Sequence, residues 1–349
     1  MIWLTWRQFR AQAWVATAAL AVIAIALAVT GAHLAHLYDT SGIATCQAHG
    51  NCGSLVTSFL DQAKASPAYG ILYYGGVVVL YAVPAIIGIF WGAPLVTREI
   101  ETGTFRLAWN QSVTRTRWLA VKLALTGLAA MATAGLLSLM ISWWASPVDR
   151  ALALPAGRNG TDGLNRFAPL LFGARGITPI GYAAFAFALG VAAGVLIRRT
   201  VPAMAATLAV FTAALVTMSL WVRPHLITPL HATSALNPAN IDQMFIGNNG
   251  QMAVTGAVNM PGAWVLSNQS INTSGHVFTG PAPQACLSQT ASFQACQASL
   301  GRLHLRQLVT YQPASRYWAF QGSETAIFLA LALVLAGFCF WWIRRRRVA

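Results

Sequence analysis

Apolar residues along the chain are gathered into six long runs that polar or basic segments separate. A helix of roughly 20 apolar residues is long enough to cross the hydrocarbon core of a bilayer, and each run is close to that length. We therefore predict an all-α membrane protein with six transmembrane helices. The six runs lie at 14–34, 71–91, 118–144, 179–197, 202–222 and 325–343.

The segment before the first run, residues 1–13, is predicted to form an interfacial amphipathic helix. Aromatic residues recur in it at helical spacing beside two arginines, as in helices that lie among lipid headgroups. The alternative is that these residues are only the start of the first span. The residues assigned to the interfacial helix are Trp3, Trp6, Arg7, Phe9 and Arg10.

The remaining domain boundaries follow from the same runs. Residues 14–222 hold the first five spans and a cytoplasmic segment at 92–117, and residues 325–349 hold the sixth span and a basic tail. The stretch 223–324 is long enough for a small extracytoplasmic domain. Within it residues 254–265 are strand-like but interrupted by glycine and proline, whereas residues 288–308 favour a helix, so we expect mixed structure.

The overall composition agrees with a membrane protein. Apolar residues make up 56% of the chain and charged residues only 9%, against about 25% charged in soluble proteins. The formal net charge is +14, but the basic residues lie between the apolar runs and after the last one, where they suit topology and membrane lipid headgroups. No nucleic-acid-binding motif accompanies them, so nucleic acid is not an expected partner.

The distribution of lysine and arginine predicts the orientation in the cell membrane. The short segments that share a side with the two termini are dense in basic residues, including Arg198, Arg199 and the run 344–347. Because such residues accumulate on the cytoplasmic side, both termini are expected in the cytoplasm. Arg7 and Arg10 fit the start of a signal peptide as well, but the next apolar run is too long for one.

Four of the five cysteines fall in loops that are predicted to be extracytoplasmic. Closeness in sequence favours the disulfide pairs Cys46–Cys52 and Cys286–Cys296, although four cysteines allow three connectivities. A metal site is the alternative for the first pair, since His49 stands three residues before Cys52. Zinc sites usually show tighter paired spacing, so no metal is expected.

The cytoplasmic segment 92–117 holds both acids of the cytoplasmic side. Its Arg-Glu-Ile-Glu-Thr-Gly sequence predicts a short charged helix that ends at Gly103, because glycine is favoured just past a helix C-terminus. Ser112 and Thr114 are candidate caps of the helix that follows. The residues alone leave open the alternative of a solvated loop whose charges only determine topology.

This segment and the layout around it resemble the permease subunits of type-2 ABC transporters, especially those of actinobacteria. The family pattern Pro-x-x-x-Arg-Glu-x-Glu-x-Gly-Thr is matched after the second span, and a Trp-x-Gln-Ser-Val-x-Arg-x-Arg-Trp stretch follows it. Residues 6–10 and 311–318 are similar to that group too. The residues that match the two patterns are Pro94, Arg98, Glu99, Glu101, Gly103 and Thr104, and then Trp109, Gln111, Ser112, Val113, Arg115, Arg117 and Trp118.

The resemblance implies a role for the charged segment. In that family it is a coupling helix that docks in a groove of a separate ABC ATPase subunit, and the N-terminal helix gives a second contact with the ATPase. The resemblance further implies two ATPase copies, which bind ATP and Mg²⁺, and a second permease copy or a paralogue. The coupling residues that it assigns here are Arg98, Glu99, Glu101, Gly103, Thr104 and Arg106.

Motifs for catalysis are missing from the sequence. It has no Gly-x-x-x-x-Gly-Lys-Ser/Thr phosphate-binding loop, so the chain is not expected to be an enzyme, and ATP hydrolysis is assigned to the partner chain. His-Glu-x-x-His and Gly-x-Ser-x-Gly are missing as well. His33 and His36 are a weak metal candidate, for which two interfacial histidines without a function are the alternative.

Ionisable residues are nearly absent from the predicted spans. Lys122 lies one turn into the third span and is expected to reach back to the headgroups, and Glu324 is placed at the outer end of the sixth span. A transporter driven by protons or sodium usually needs buried carboxylates at the midplane. The absence of such residues from the predicted spans favours an external energy source and an apolar or amphipathic cargo.

Two classes of function remain open from the sequence. The leading hypothesis is the permease of an ATP-driven exporter for a hydrophobic or amphipathic substrate such as an antibiotic or other drug, a lipid or a peptide. The alternative is a membrane sensor or scaffold that transports nothing and whose outer domain binds a ligand. A membrane-embedded enzyme is disfavoured, because the sequence places no catalytic cluster on one helix face.

Overall fold

The chain divides into two compact units, which are described separately. The membrane unit comprises Met1–Ala151, Ala168–Leu226 and Trp318–Ala349, and the inserted unit comprises Leu152–Phe167 and Ile227–Tyr317. The structure is a computed structural model, and it describes residues 2–46, 52–103, 114–154, 166–247, 250–258, 260, 262–287 and 292–345.

The described part of the membrane unit is helical. Among the residues that the structure describes, six helices are long and apolar enough to span a membrane, in agreement with the predicted number. They are built on α1 Ile2–Thr40, α4 Pro67–Ile86, α6 Arg115–Leu152, α8 Thr178–Ile197, α9 Thr200–Thr217 and α12 Tyr317–Arg345. The shorter helices of this unit are α2 Ile43–Cys46, α3 Gly53–Ala65, α5 Ala93–Glu101 and α7 Pro169–Gly173.

Two π-helical segments extend these spans. Ile87–Gly92 joins α4 to α5 without a break, and Met218–Val222 continues α9 to a short 3₁₀ turn at Arg223–His225. A π-turn holds more residues than an α-turn, and such segments are frequent at functional sites. Ile87–Gly92 lies at the end of the second span, directly before the charged helix α5. Met218–Val222 lies at the end of the fifth span, directly before Arg223.

The alternation of the six spans gives the bundle two sides. We call the side with the start of α1 and the end of α12 the terminal side, and the opposite side the loop side. On the terminal side, α8 turns directly into α9. Arg198 closes α8 in the left-handed conformation with φ 57°, Arg199 is extended, and Thr200 begins α9.

The N-terminal residues do not form a helix of their own. α1 runs unbroken from Ile2 to Thr40, whereas the aromatic spacing of residues 1–13 predicts a separate interfacial helix. No glycine or proline occurs before Gly31, so the chain offers no residue that would end a helix near residue 13. Residues 1–13 are therefore continuous with the first span, and their place among lipid headgroups stays a prediction.

The inserted unit has the mixed structure that was predicted for this region. β5 lies between β1 and β4 in an antiparallel sheet, and β2 pairs with β3. The bounds are β1 Leu230–Ala235, β2 Ile241–Ile246, β3 Met252–Gly256, β4 Trp264–Ile271, α10 Gln284–Leu287, α11 Phe293–Gly301 and β5 Arg306–Gln312. The predicted helix at 288–308 is wrong at its end, because residues 306–308 belong to β5, and 288–291 lie outside the described residues.

Side chains join the sheet of the inserted unit to its hairpin. Met252 and Val254 alternate into a core that also holds Leu300, as expected for a strand with one buried face. Ser270 of β4 donates a hydrogen bond of 2.5 Å to the carbonyl of Val254. Gln307 of β5 donates one of 2.7 Å to the carbonyl of Gly256. The two β-elements therefore share one core.

Both predicted disulfide pairs are confirmed. Cys46 bonds Cys52, Cys286 bonds Cys296, and Cys339 is a buried free thiol. The second bond closes a loop with a sequence separation of 10 residues, and constraining such a loop stabilises a fold by about 2–3 kcal/mol.

Replacing Cys286 and Cys296 with serine is expected to make the inserted unit easier to unfold by about that amount. Limited proteolysis followed by peptide mapping should show faster cleavage in the inserted unit and unchanged cleavage in the membrane unit. The Cys339→Ser variant is the control and should leave cleavage of the inserted unit unchanged. Non-reducing peptide maps of the unmodified protein that showed four free thiols would contradict the pairing.

Candidate functional site

The predicted short charged helix is present as α5, a direct continuation of the second span. Ala93, Val96 and Thr97 are buried, whereas Arg98 and Glu101 are exposed, so the helix is amphipathic. It ends as predicted just before Gly103, whose φ of 71° is the left-handed conformation that favours glycine. α5 thus presents one charged face and buries the other.

Glu99 does not point freely into solvent, because it pairs with Lys122 of α6. The Lys122 side chain is only 3% exposed and that of Glu99 15%. Gln8 of α1 donates a hydrogen bond of 3.1 Å to the same Glu99 oxygen. The prediction that Lys122 reaches back to the headgroups is therefore wrong: a buried ammonium needs a partner, and α5 supplies the partner.

α1 packs on the π-helical segment that leads into α5. Gln12 Nε2 donates a hydrogen bond of 3.1 Å to the carbonyl of Phe90. Phe9 meets Trp91 edge to face with ring centroids 4.8 Å apart, a favoured aromatic geometry. A carbonyl in a π-helix can lack its regular intrahelical donor. Here the Gln12 side chain of α1 provides a donor for the Phe90 carbonyl.

Glu101 attaches α5 to the start of α9. Its carboxylate accepts hydrogen bonds from the backbone N–H of Thr200 at 2.8 Å and from the Thr200 hydroxyl at 2.6 Å. The first N–H groups of a helix have no partner within the helix, and a carboxylate there also interacts favourably with the helix dipole. Glu101 therefore acts as a cap for a helix on another span.

α8 packs against α5 and the preceding π-segment with almost no side chains between the backbones. A Cβ on Gly88 would come within 2.7 Å of the carbonyl oxygen of Ala186, and one on Gly190 would overlap the carbonyl of Gly88. A Cβ on Gly194 would overlap Thr97. Small residues allow helices in membranes to approach this closely.

α5 is thus attached to α1, α6, α8 and α9, all of which are membrane helices. The Arg98 side chain forms no ion pair or hydrogen bond with a described residue, and it is the exposed cation of the α5 surface. Glu99 and Glu101 already bind Lys122 and Thr200, whereas the exposed Arg98 side chain binds no described residue, so Arg98 is the charge on α5 that is best placed to bind another molecule.

The other predicted site residues are distributed as follows. Phe9 is buried, whereas Trp3 and Trp6 are exposed, and the Arg7 guanidinium lies 5.5 Å from the Trp3 ring centre. Arg10 is exposed as well. Thr104 and Arg106 lie outside the described residues, as do Ser112 and His49. Thr114 caps α6, because its hydroxyl accepts from the N–H of Arg117 at 3.4 Å.

A second group of charged residues, on the loop side, was missed by the sequence analysis. Arg223 and Glu324 form a buried ion pair between the end of the α9 span and α12, and Tyr182 of α8 donates a hydrogen bond to the same carboxylate. We call these three residues the Arg223 cluster. Glu324 was placed only at the end of a span, and the sequence signal for burial was its position directly before an apolar run that contains no acid.

A separate ion pair on the same side joins Arg175 to Asp149 at 2.6 Å. Arg175 also lies over the ring of Tyr73 at 5.2 Å. Within the described part of the chain, no group of three or more histidine, cysteine or acidic side chains is arranged to hold a metal ion. His33 instead stacks on Tyr69 with ring centroids 6.2 Å apart.

Comparison with known proteins identifies a family for this chain. The family model described as ABC-2 membrane transporter related matches residues 17–223, more than half of the chain. The matched region contains α5 and the helices to which it is attached, apart from the first residues of α1. No curated protein and no solved structure matches the chain.

Proposed function

Because the chain belongs to the ABC-2 membrane transporter related family, we propose that it is the transmembrane subunit of an ATP-driven exporter. Membership makes it a multi-pass membrane subunit of a transporter that works with an ABC ATPase. The proposal adds that α5 is the ATPase contact and that transport is outward. It also adds a hydrophobic or amphipathic cargo, of the drug, lipid or peptide class, and the actinobacterial subtype of the family.

The observation that supports this proposal most directly is the attachment of α5 to several spans. Lys122 and Gln8 bind Glu99, and Thr200 binds Glu101. A short helix held in this way cannot move without moving the helices to which it is bound. Closure of two ATPase subunits on ATP and Mg²⁺ would therefore displace α1, α6, α8 and α9 together.

The direction of transport depends on which side faces the cytoplasm. Both disulfides belong to connections on the loop side of the spans, and disulfides form in oxidising compartments. The basic residues of the terminal side support the same orientation. In the proposal the terminal side with α5 is cytoplasmic, where ATP is available, and the loop side is the exit.

The contacts divide the predicted coupling residues into two roles. Glu99 and Glu101 hold α5 in place through Lys122 and Thr200. Arg98 touches the ATPase, since it is the charged residue of α5 whose side chain forms no ion pair or hydrogen bond within the described residues. Charge pairs at such a surface determine register and association rate more than affinity.

Replacing Arg98 with glutamate is expected to weaken association with the ABC ATPase subunit and to reduce ATP hydrolysis by the complex. A like charge placed against a complementary surface costs several kcal/mol, so a loss of at least tenfold in association is expected. Co-purification and hydrolysis assays with the reconstituted complex measure both effects.

The matched control is Arg302→Glu, an exposed arginine of the inserted unit. It should leave association and hydrolysis unchanged, and both variants should unfold at the temperature of the unmodified protein. Equal effects of the two substitutions, or no effect of Arg98→Glu, would contradict the role of Arg98.

A second permease copy or a paralogue would complete the transmembrane part. Several large apolar side chains of α1, such as Val22, Ile25 and Val29, are exposed and would face lipid or this second permease. ATP-dependent efflux from vesicles decides between export and the sensor hypothesis. A complex that hydrolyses ATP without moving any tested hydrophobic dye, lipid or peptide would favour the sensor.

A further inference from the structure

The Arg223 cluster joins three spans on the loop side. Arg223 Nε lies 2.8 Å from Glu324 Oε2, and its Nη2 lies 3.0 Å from Glu324 Oε1. The two side chains are 1% and 0% exposed, and the Tyr182 hydroxyl donates to the same carboxylate. The pair is bidentate, the strongest geometry of an arginine and a carboxylate.

The rest of the guanidinium binds neighbouring segments. Its Nη1 donates to the carbonyl of Pro169 at 3.2 Å and to the hydroxyl of Ser219 at 3.4 Å, and its carbon lies 4.3 Å from the ring centre of Phe172. The Arg223 guanidinium thereby binds α7 to the cluster that connects α8, α9 and α12. A charge that is buried to this degree is stable only while these partners stay in place.

α8 links this cluster to α5. Tyr182 lies one turn from its start, and Gly194, near its end, packs against Thr97 of α5. The two residues are separated by roughly 18 Å along the helix axis, at 1.5 Å per residue. In the most apolar stretch of α8, 78% of the residues are buried inside the protein. A neighbouring helix that displaces one end of α8 is therefore expected to displace the other end as well.

The π-helical segments lie next to both ends of this link. Ile87–Gly92 directly precedes α5, and Met218–Val222 directly precedes Arg223. A π-turn that converts to an α-turn rotates and shifts the residues after it, and helix bends commonly occur at such segments. α5 and Arg223 therefore each follow a segment in which the helical backbone can change register.

We propose that the Arg223 cluster closes the loop side of the bundle and that movement of α5, transmitted through α8, separates it. Separation of the cluster by movement of α5 rests on the proposed function, in which an ATPase moves α5. Closure of the loop side by the cluster does not rest on it. A separated pair is tolerated only when water replaces the lost partners, so the cluster is expected to be either joined and dry or separated and hydrated.

Thr325→Cys provides a reporter beside the cluster. Thr325 is buried, and its Cα would lie 3.2 Å from a Cβ on Gly181 of α8, so a thiol there becomes reachable only when α8 and α12 separate. The rate of reaction with a small polar thiol reagent is measured in lipid nanodiscs. The same protein without this substitution gives the background from Cys339.

The first measurement uses the chain alone. Glu324→Gln is expected to speed labelling on the order of a hundredfold, and Tyr182→Phe, which removes one hydrogen bond to a charge, on the order of tenfold. Asp149→Asn, which breaks the other ion pair of the loop side, should leave the rate unchanged. Should Glu324→Gln fail to fold, Tyr182→Phe decides. Equal rates for Tyr182→Phe and the unmodified cluster would overturn the closing role.

The second measurement adds the ATPase subunit and ATP. Labelling of Thr325→Cys is expected to rise at least tenfold when ATP and Mg²⁺ are added to the complex. A complex that forms and hydrolyses ATP while labelling stays at the rate without nucleotide would overturn transmission through α8, and the proposed function would stand. If the ATPase does not associate at all, the proposed function fails, and transmission from an ATPase through α8 fails with it.

Discussion

The Glu99→Ala variant is expected to lose about 3 kcal/mol of unfolding free energy, the lower end of the range for removing one partner of a buried ion pair. Lys122 is buried at 3% exposure, and without Glu99 its ammonium has lost its carboxylate inside the membrane unit. The lower end of the range applies because the Glu99 side chain keeps 15% exposure, through which water reaches the pair. Unfolding in detergent, followed by helix content, measures this loss.

Three variants separate the ion pair from other effects at the same helix. Arg98→Ala should unfold like the unmodified protein, since Arg98 is exposed. Glu101→Ala should show a smaller loss than Glu99→Ala, because it removes only hydrogen bonds at an exposed cap. The double variant Glu99→Leu with Lys122→Leu should recover most of the stability, because apolar residues often replace a buried pair at no net cost. Equal stability of Glu99→Ala and Arg98→Ala would contradict the buried pairing.

The Gly190→Ala variant is expected to lose about 1–3 kcal/mol, the range for an added group in a packed interior. The added methyl group would overlap the carbonyl of Gly88 and lie 2.8 Å from the backbone nitrogen of Ala93. Both neighbours are backbone atoms, so α8 and the π-segment must move apart. Thermal unfolding of the variant, together with hydrolysis by its complex with the ATPase, measures the effect.

Gly75→Ala is the matched control on the second span, because a Cβ there meets no atom within 4 Å. In a helix interior, alanine is otherwise favoured over glycine by roughly 1 kcal/mol. The control should therefore be neutral or slightly stabilised, which is the opposite sign to Gly190→Ala. The same sign for both variants would mean that the close approach of α8 to the second span is absent.

The six spans could be predicted from sequence because each is a continuous apolar run, and the bilayer thickness determines its length. The continuity of α1 was also readable in principle, since no glycine or proline stands before Gly31. The aromatic spacing of residues 1–13 is the same for an interfacial helix and for the first turns of a span. Periodicity alone does not separate these two structures.

The partners of the buried charges could not be predicted. Lys122 is 23 residues from Glu99 in sequence, and Arg223 is 101 residues from Glu324. Each pairing depends on how spans pack, and apolar runs do not specify helix neighbours. This is why Glu99 was assigned to docking and Lys122 to the headgroups, when the two side chains in fact bind each other.

The strand β5 was missed for a different reason. Its buried positions include Gln307 and Gln312 beside Val309, so polar side chains interrupt the apolar alternation that identifies a strand. Gln307 is buried with its amide bonded to Gly256 of β3 and Asn268 of β4. A hydrogen-bonded glutamine in a core is visible only once the neighbouring strands are known.

The most direct test of the central claim, that α5 is the ATPase contact, is site-specific photo-cross-linking in native membranes. Arg98 is replaced by the photoreactive amino acid benzoylphenylalanine, and so, in a second sample, is Phe245, an exposed residue of the inserted unit. We expect residue 98 to cross-link to a polypeptide that contains a Gly-x-x-x-x-Gly-Lys-Ser/Thr loop, and residue 245 to give no such product. An ATPase that co-purifies with the chain yet cross-links at neither position, or equally at both, would contradict the claim.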